Sequence, residues 1–210
     1  MSNPELMNQL DDVSRLLLEV TDPGMLESVV PCKTTPDGNC LFRAASIAVY
    51  EDESKHVELR QKVFDEMRDN PNWYDKSDPN FCSPFANDPE ILIENYSFYI
   101  ENTPKLNEWC DINHLLALSA VLLIPIKSYH PAVGGVSNPF SRLIVGRGVP
   151  EVEGVETKLS IMWTSTIFPD QMEDFRPNHF VPLIPHKVNN KDFHQGMYHF
   201  DFAIFVSQVS

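Results

Sequence analysis

The stretch Pro36-Asp37-Gly38-Asn39-Cys40-Leu41-Phe42-Arg43-Ala44 holds the residues of this chain whose types and spacing suit them best to chemistry. Thr35 to Asn39 is a turn signal, and the Ala-rich, amphipathic run that follows reads as a helix. A cysteine is thereby delivered to a first helical turn. The backbone N–H groups there have no intrahelical partner and carry partial positive charge. Such a setting favours thiolate, the nucleophilic form of cysteine. The N–H groups of Gly38, Asn39 and Cys40 are also candidates to receive the oxyanion that forms when a carbonyl is attacked. Gly38, without a Cβ, lets backbone pass close. A plainer reading stays open beside this one: Cys40 as a small hydrophobe filling space at a helix start.

A thiol nucleophile needs a base, and the chain has seven histidines. His56 and His114 fall inside predicted helices, His130 and His186 beside prolines, and His194 in a polar stretch. These are read as surface or structural residues. His179 opens a predicted strand in Arg176-Pro177-Asn178-His179-Phe180-Val181. His199 lies in Tyr198-His199-Phe200-Asp201, also strand-like. Either can be brought to Cys40 by the fold, because such pairs are neighbours in space rather than in sequence. Cys32, Cys82 and Cys110 form no C-x-x-C pair and have no histidines at finger spacing, so no metal site or other cofactor is expected and all three are taken as structural.

Composition narrows the function classes. The 210 residues are 42% hydrophobic and 22% charged, globular proportions for one main domain. Sixteen Lys and Arg against thirty Asp and Glu leave a net charge of −14. A surface this acidic repels phosphate backbones and anionic lipid, so neither nucleic acid nor a membrane is expected as a partner. The longest apolar-rich run, Leu115 to Ile126, is too short to span a bilayer. The N-terminal stretch lacks the basic start and apolar block of a secretory signal. Reduced thiols and a cytoplasmic or nuclear location are the expectation.

The elements that must position these residues read as helices first and strands later. Apolar spacing predicts helices over 4–20, 40–49, 54–68 and 111–123, with Val57, Leu59, Val63, Phe64 and Met67 as the inner stripe of the third. A proline-punctuated aromatic segment over 69–108 admits short helices near 89–100. Extended segments are predicted over 29–34, 124–129, 142–145, 159–164 and 179–184, with another candidate over 198–206. The expected class is α+β: a small central β-sheet packed between helices.

The eight residues Asp37 to Ala44 resemble the signature around the nucleophile of the ovarian tumour (OTU) family of cysteine proteases, which are deubiquitinases. His56 to Arg60 with Val63, Phe64 and Met67 looks like that family's second helix. Trp109 before Leu115 to Ser119 is similar to its Trp-led buried helix. Ile161-Met162-Trp163 with Asn178-His179-Phe180 looks like its paired C-terminal strands. The resemblance implies a papain-like OTU catalytic domain over 28–185, with a helical extension at 1–27 and a tail at 186–210 that adds a strand at most. It implies Cys40 as nucleophile, His179 as general base with His199 as the alternative, Asp37 as the signature acid, and an oxyanion hole from the N–H groups around Asp37 to Cys40.

The implied reaction is hydrolysis of the isopeptide bond between ubiquitin and a lysine amine, through a thioester on Cys40. The partner is ubiquitin, polyubiquitin or a ubiquitin-like modifier, whose basic edges an acidic enzyme would steer. Two positions depart from the pattern. Many members carry Asn or Asp two residues after the histidine; Val181 stands there, which leaves Asp37, or Asn178, to orient the imidazole. His114 occupies an acidic place in the Trp-led helix, where altered packing is expected rather than lost chemistry. The alternative reading is an inactive module of the same fold that binds ubiquitin or another protein.

Overall fold

Asp11 starts the first helix of the computed structural model, which describes residues 9–132, 138–150 and 159–186. Its side chain accepts the Ser14 N–H at 2.8 Å, capping α1 (Asp12–Thr21). The helix begins well after the predicted position 4. Leu10 is drawn into a bridge with Cys32, and the Lys33 N–H reaches the Gln9 carbonyl, so this stretch is held extended. Residues 1–8 lie outside the described ones, as do the predicted strand over 198–206, His194 and His199.

The other elements fall close to their predicted bounds. After β1 (Val29–Pro31) come α2 (Cys40–Tyr50), α3 (His56–Asp69), the short α4 (Tyr96–Asn102) and α5 (Ile112–Leu122). Strands β2 (Ile126–Tyr129), β3 (Arg142–Ile144), β4 (Leu159–Thr164) and β5 (His179–Pro185) follow. They form one sheet in the order β1-β5-β4-β2-β3, antiparallel except for β2 against β4. The fold is α+β, with a mixed sheet between helices. None of the helices among the described residues is long and apolar enough to cross a membrane.

Strand alternation divides the core between the two faces of the sheet. Ile161, Trp163 and Phe180 join Leu41, Phe42, Leu59, Val63, Leu115 and Leu118 on one face. Met162, Val181 and Leu183 meet Leu17 and Leu18 of α1 on the other. Val57 departs from the predicted inner stripe: it is exposed, and the buried face of α3 carries Arg60 beside Leu59, Val63 and Met67. The start of α5 shows what His114 does in place of an acid. Asp111 accepts N–H groups from Asn113 and His114, while the Asp111 N–H donates to His114 Nδ1 at 3.1 Å. The imidazole thus completes a capping box that Glu or Gln ordinarily completes.

Candidate active site

Cys40 is the first residue of α2 and is almost fully buried. Its loop is held rigidly from two sides. On one, Asp37 accepts hydrogen bonds from the Asn39 backbone and side chain and pairs with Arg43 at 2.9 Å, and Arg43 also pairs with Glu53 at 2.9 Å. On the other, Asn39 exchanges hydrogen bonds with Asn107: Nδ2 donates to Asn107 Oδ1 at 2.9 Å, and the Asn107 N–H donates to Oδ1 at 3.2 Å. The two loops meet so closely that a Cβ on Gly38 would lie 2.0 Å from the Asn107 carbonyl carbon. Glycine is required there by contact.

The buried guanidinium of Arg60 ties the same loops together from below. It donates to the carbonyls of Gly38 (2.6 Å), Thr103 (2.8 Å) and Glu108 (2.8 Å), and lies 4.6 Å above the Phe42 ring.

β5 supplies the other half of the site. Beyond β1 its edge continues without a strand partner among the described residues: the last ladder contact there is the Cys32 N–H to the Pro182 carbonyl at 3.0 Å. Two residues earlier on β5, the backbone of Phe180 is therefore free to serve side chains. Its N–H favours the thiolate form of Cys40, and its carbonyl accepts the Thr34 hydroxyl at 2.7 Å. Thr34 Oγ1 also lies 2.8 Å from Nε2 of the buried His179. Cys40 and His179 thus lie on either side of one residue's backbone contacts, those of Phe180, whose ring stacks on Trp109 at 5.3 Å and meets Trp163 at 4.5 Å with the planes tilted by 56°. Trp109 precedes α5 rather than lying on it, and its partly exposed ring walls the site.

The electrostatics are those of an unprimed pair. Burial pushes the Cys40 thiol up to about 11, against the N–H groups of Phe180 and Leu41 that favour thiolate; the charge of Asp37 adds to the rise. Burial also lowers the pKa of His179, opposed by Asp11, the Thr34 backbone, Asp37 and Glu53. Among the described residues no hydrogen bond joins the Cys40 sulfur to His179. Both shifts favour the neutral forms, thiol and imidazole, over a thiolate–imidazolium pair.

Two expectations need correction. Asp37 does not orient the imidazole, because its carboxylate is turned to Arg43 and Asn39. Asn178 does not either: its Oδ1 accepts the Thr166 N–H at 3.0 Å and braces the turn between β4 and β5. Nor are the three oxyanion-hole groups equally available. The Cys40 N–H donates to the Asp37 carbonyl at 3.0 Å and the Asn39 N–H to Asp37 Oδ1 at 2.9 Å, which leaves Gly38. Thr34, which the sequence reading passed over, is the residue that touches His179. Its signal lay in strand pairing: once Pro31 is set opposite Leu183, position 34 falls beside Phe180.

Asp37 carries a pH prediction. Burial raises its pKa, but the hydrogen bonds from Arg43 and Asn39 outweigh that and bring it from 3.8 to about 2. A carboxylate depressed in the folded state stabilises fully above its unfolded pKa, and that contribution drains as pH falls from about 4 toward 2. Unfolding free energy measured across that window should fall more steeply in the native protein than in Asp37→Asn. Equal slopes would show that the Arg43 pair contributes nothing.

The comparisons with known proteins agree on the fold. The model of the vertnin OTU domain family matches residues 31–164, more than half the chain. No curated protein shows significant sequence similarity to it. The solved OTUD1 OTU domain is similar at a TM-score of 0.52 and 18% identity, covering 80% of this chain and 98% of that one. The viral OTU domain protease from Dera Ghazi Khan virus is similar at 0.50 and 17%, covering 78% and 85%.

Proposed function

The chain belongs to the OTU domain family, in its vertnin group, and from that membership we propose that it is a cysteine isopeptidase that removes ubiquitin, or a related modifier, from lysine side chains. The observation that carries this reading is a buried thiol at a helix start beside the strand that carries a buried imidazole, His179, whose Nε2 is held through Thr34 to the Phe180 carbonyl. In the reaction His179 takes the Cys40 proton as sulfur attacks the carbonyl carbon. The lysine amine leaves with that proton, and water then cleaves the thioester to release the modifier's carboxylate. The Gly38 N–H is available to the oxyanion; the Cys40 N–H joins it once the Asp37 carbonyl turns away. The catalytic domain spans 28–185 in this reading and works among the reduced thiols of the cytoplasm or nucleus.

A second reading, a non-catalytic module that holds ubiquitin or another protein, draws on one observation: the Cys40 N–H is spent on the Asp37 carbonyl. Ubiquitin with a thiol-reactive C-terminal electrophile separates the two. We expect an adduct visible by intact mass, absent in Cys40→Ala and formed about 10²–10⁴-fold more slowly in His179→Ala. A folded native protein that forms no adduct, yet binds ubiquitin, would overturn the enzyme reading in favour of the module.

A further inference from the structure

We propose that Thr34 is the positioning residue of the site: its hydroxyl, held by the Phe180 carbonyl, fixes the tautomer and the aim of the His179 ring. The catalytic part of this assignment rests on the isopeptidase reading; the tautomer does not.

The argument is a proton count. Thr34 Oγ1 lies 2.7 Å from the Phe180 carbonyl oxygen and 2.8 Å from His179 Nε2. A hydroxyl has one proton to give. The carbonyl can only accept, so it claims that proton. Oγ1 can then only accept from the ring, and Nε2 must carry hydrogen. The reverse arrangement, with the hydroxyl donating to a bare Nε2, would strip the Phe180 carbonyl of this donor on an edge where β1 has already ended. Buried carbonyls resist that. With the hydrogen on Nε2, the lone pair sits on Nδ1, which has no hydrogen-bond partner among the described residues and so is the nitrogen left to take a proton.

Thr34 is built for such a role. It is buried, and its β-branched side chain has few rotamers, so the direction of the hydroxyl is set by the backbone. The other candidates are committed elsewhere: Asp37 to Arg43, Asn178 to Thr166. Val181 is fully buried with Leu17 and Leu18 and, being apolar, offers the imidazole no hydrogen bond. The orienting group has therefore moved from β5 to the segment after β1. During attack the Cys40 S–H bond breaks, an Nδ1–H bond forms, and the resulting imidazolium keeps its Nε2–H on Oγ1. Among the described residues no carboxylate hydrogen-bonds this ring, and Asp11, Asp37 and Glu53 act on it only through space, so the base is held in place by a neutral group.

The test joins a spectroscopic readout to a kinetic one. In ¹⁵N-histidine-labelled native protein above the imidazole pKa, His179 should show the Nε2–H tautomer in long-range ¹H–¹⁵N spectra. Thr34→Val should mix the tautomers and slow reaction of Cys40 with the ubiquitin electrophile by about 10–100-fold, with ubiquitin affinity unchanged. Thr34→Ser, which keeps the hydroxyl, should recover most of that loss. An Nδ1–H tautomer in the native protein would overturn the proposal without any catalysis being measured. So would a folded Thr34→Val that reacts at the native rate. If the native protein does not react with the electrophile at all, the isopeptidase reading and the catalytic role of Thr34 fail together, while the tautomer still decides the structural claim.

Discussion

Arg60→Met is expected to cost about 3–5 kcal/mol of stability and to lower the melting temperature by roughly 10 °C. The reason lies in what the guanidinium holds. Three backbone carbonyls, those of Gly38, Thr103 and Glu108, converge on it, and Met leaves all three without this donor. Removing a buried charge can be neutral when its partner is replaced too, because the desolvation cost disappears with the pair. Here the partners are main chain and stay behind. Nε of Arg60 has no partner among the described residues, so the native arrangement already carries a polar cost; three ordered carbonyls outweigh it. Arg60→Lys should recover only part of the loss, since an ammonium presents no planar fork. Hydrogen exchange should quicken first around 36–40 and 103–109, the loops Arg60 joins. A melting temperature within 2 °C of the native value in Arg60→Met would show that those loops are held by Asn39 and Asn107 alone.

That arginine marks where sequence reading reached its limit. The strand pair that carries the histidine was legible because β4 and β5 are short runs rich in β-branched and aromatic residues, bounded by turn residues and buried along most of their length. The thiol at the head of α2 was legible because a Pro-Asp-Gly-Asn turn precedes an unbroken amphipathic run. Arg60 was not, because periodicity sorts residues by hydropathy and assigns a charged side chain to solvent. It takes three inward-facing carbonyls, set by loops up to 48 residues away, to reverse that. Val57 erred the other way: an apolar type on the predicted stripe that nothing covers. The companions of His179 were hidden for a related reason. Thr34 lies 145 residues from it in sequence, and the pairing depends on where β1 stops against β5, a register that composition does not carry. The acid of the signature was visible and its role was not: Asp37 has Arg43 six residues on, one helical turn and a half away, and a nearby guanidinium wins the carboxylate over a neutral imidazole.

In the free protein, alkylation of Cys40 by iodoacetamide should rise about tenfold per pH unit from pH 7 to near 10, without a neutral plateau. Burial sets this, by holding the thiol up to about 11. At pH 7 only about one molecule in ten thousand then carries thiolate. Limited access to the buried sulfur lowers the rate at every pH and leaves the slope alone. The exposed Cys82 will also react, so the rate should be followed on the Cys40 peptide or in a Cys82→Ser background. A preformed thiolate–imidazolium pair would instead give a flat profile between pH 6 and 9, and that result would contradict the resting geometry. The ubiquitin electrophile should behave differently from iodoacetamide. In the proposed reaction a tail lying in the site would displace water and would draw the Asp37 carbonyl away from the Cys40 N–H that it accepts at rest. The freed N–H group and a tightened His179 then favour thiolate, so the rate at pH 7 should stand far above the alkylation trend and vary little up to pH 9. Two parallel slopes would mean that ubiquitin docks without priming the thiol, which is the behaviour of a binding module rather than an enzyme.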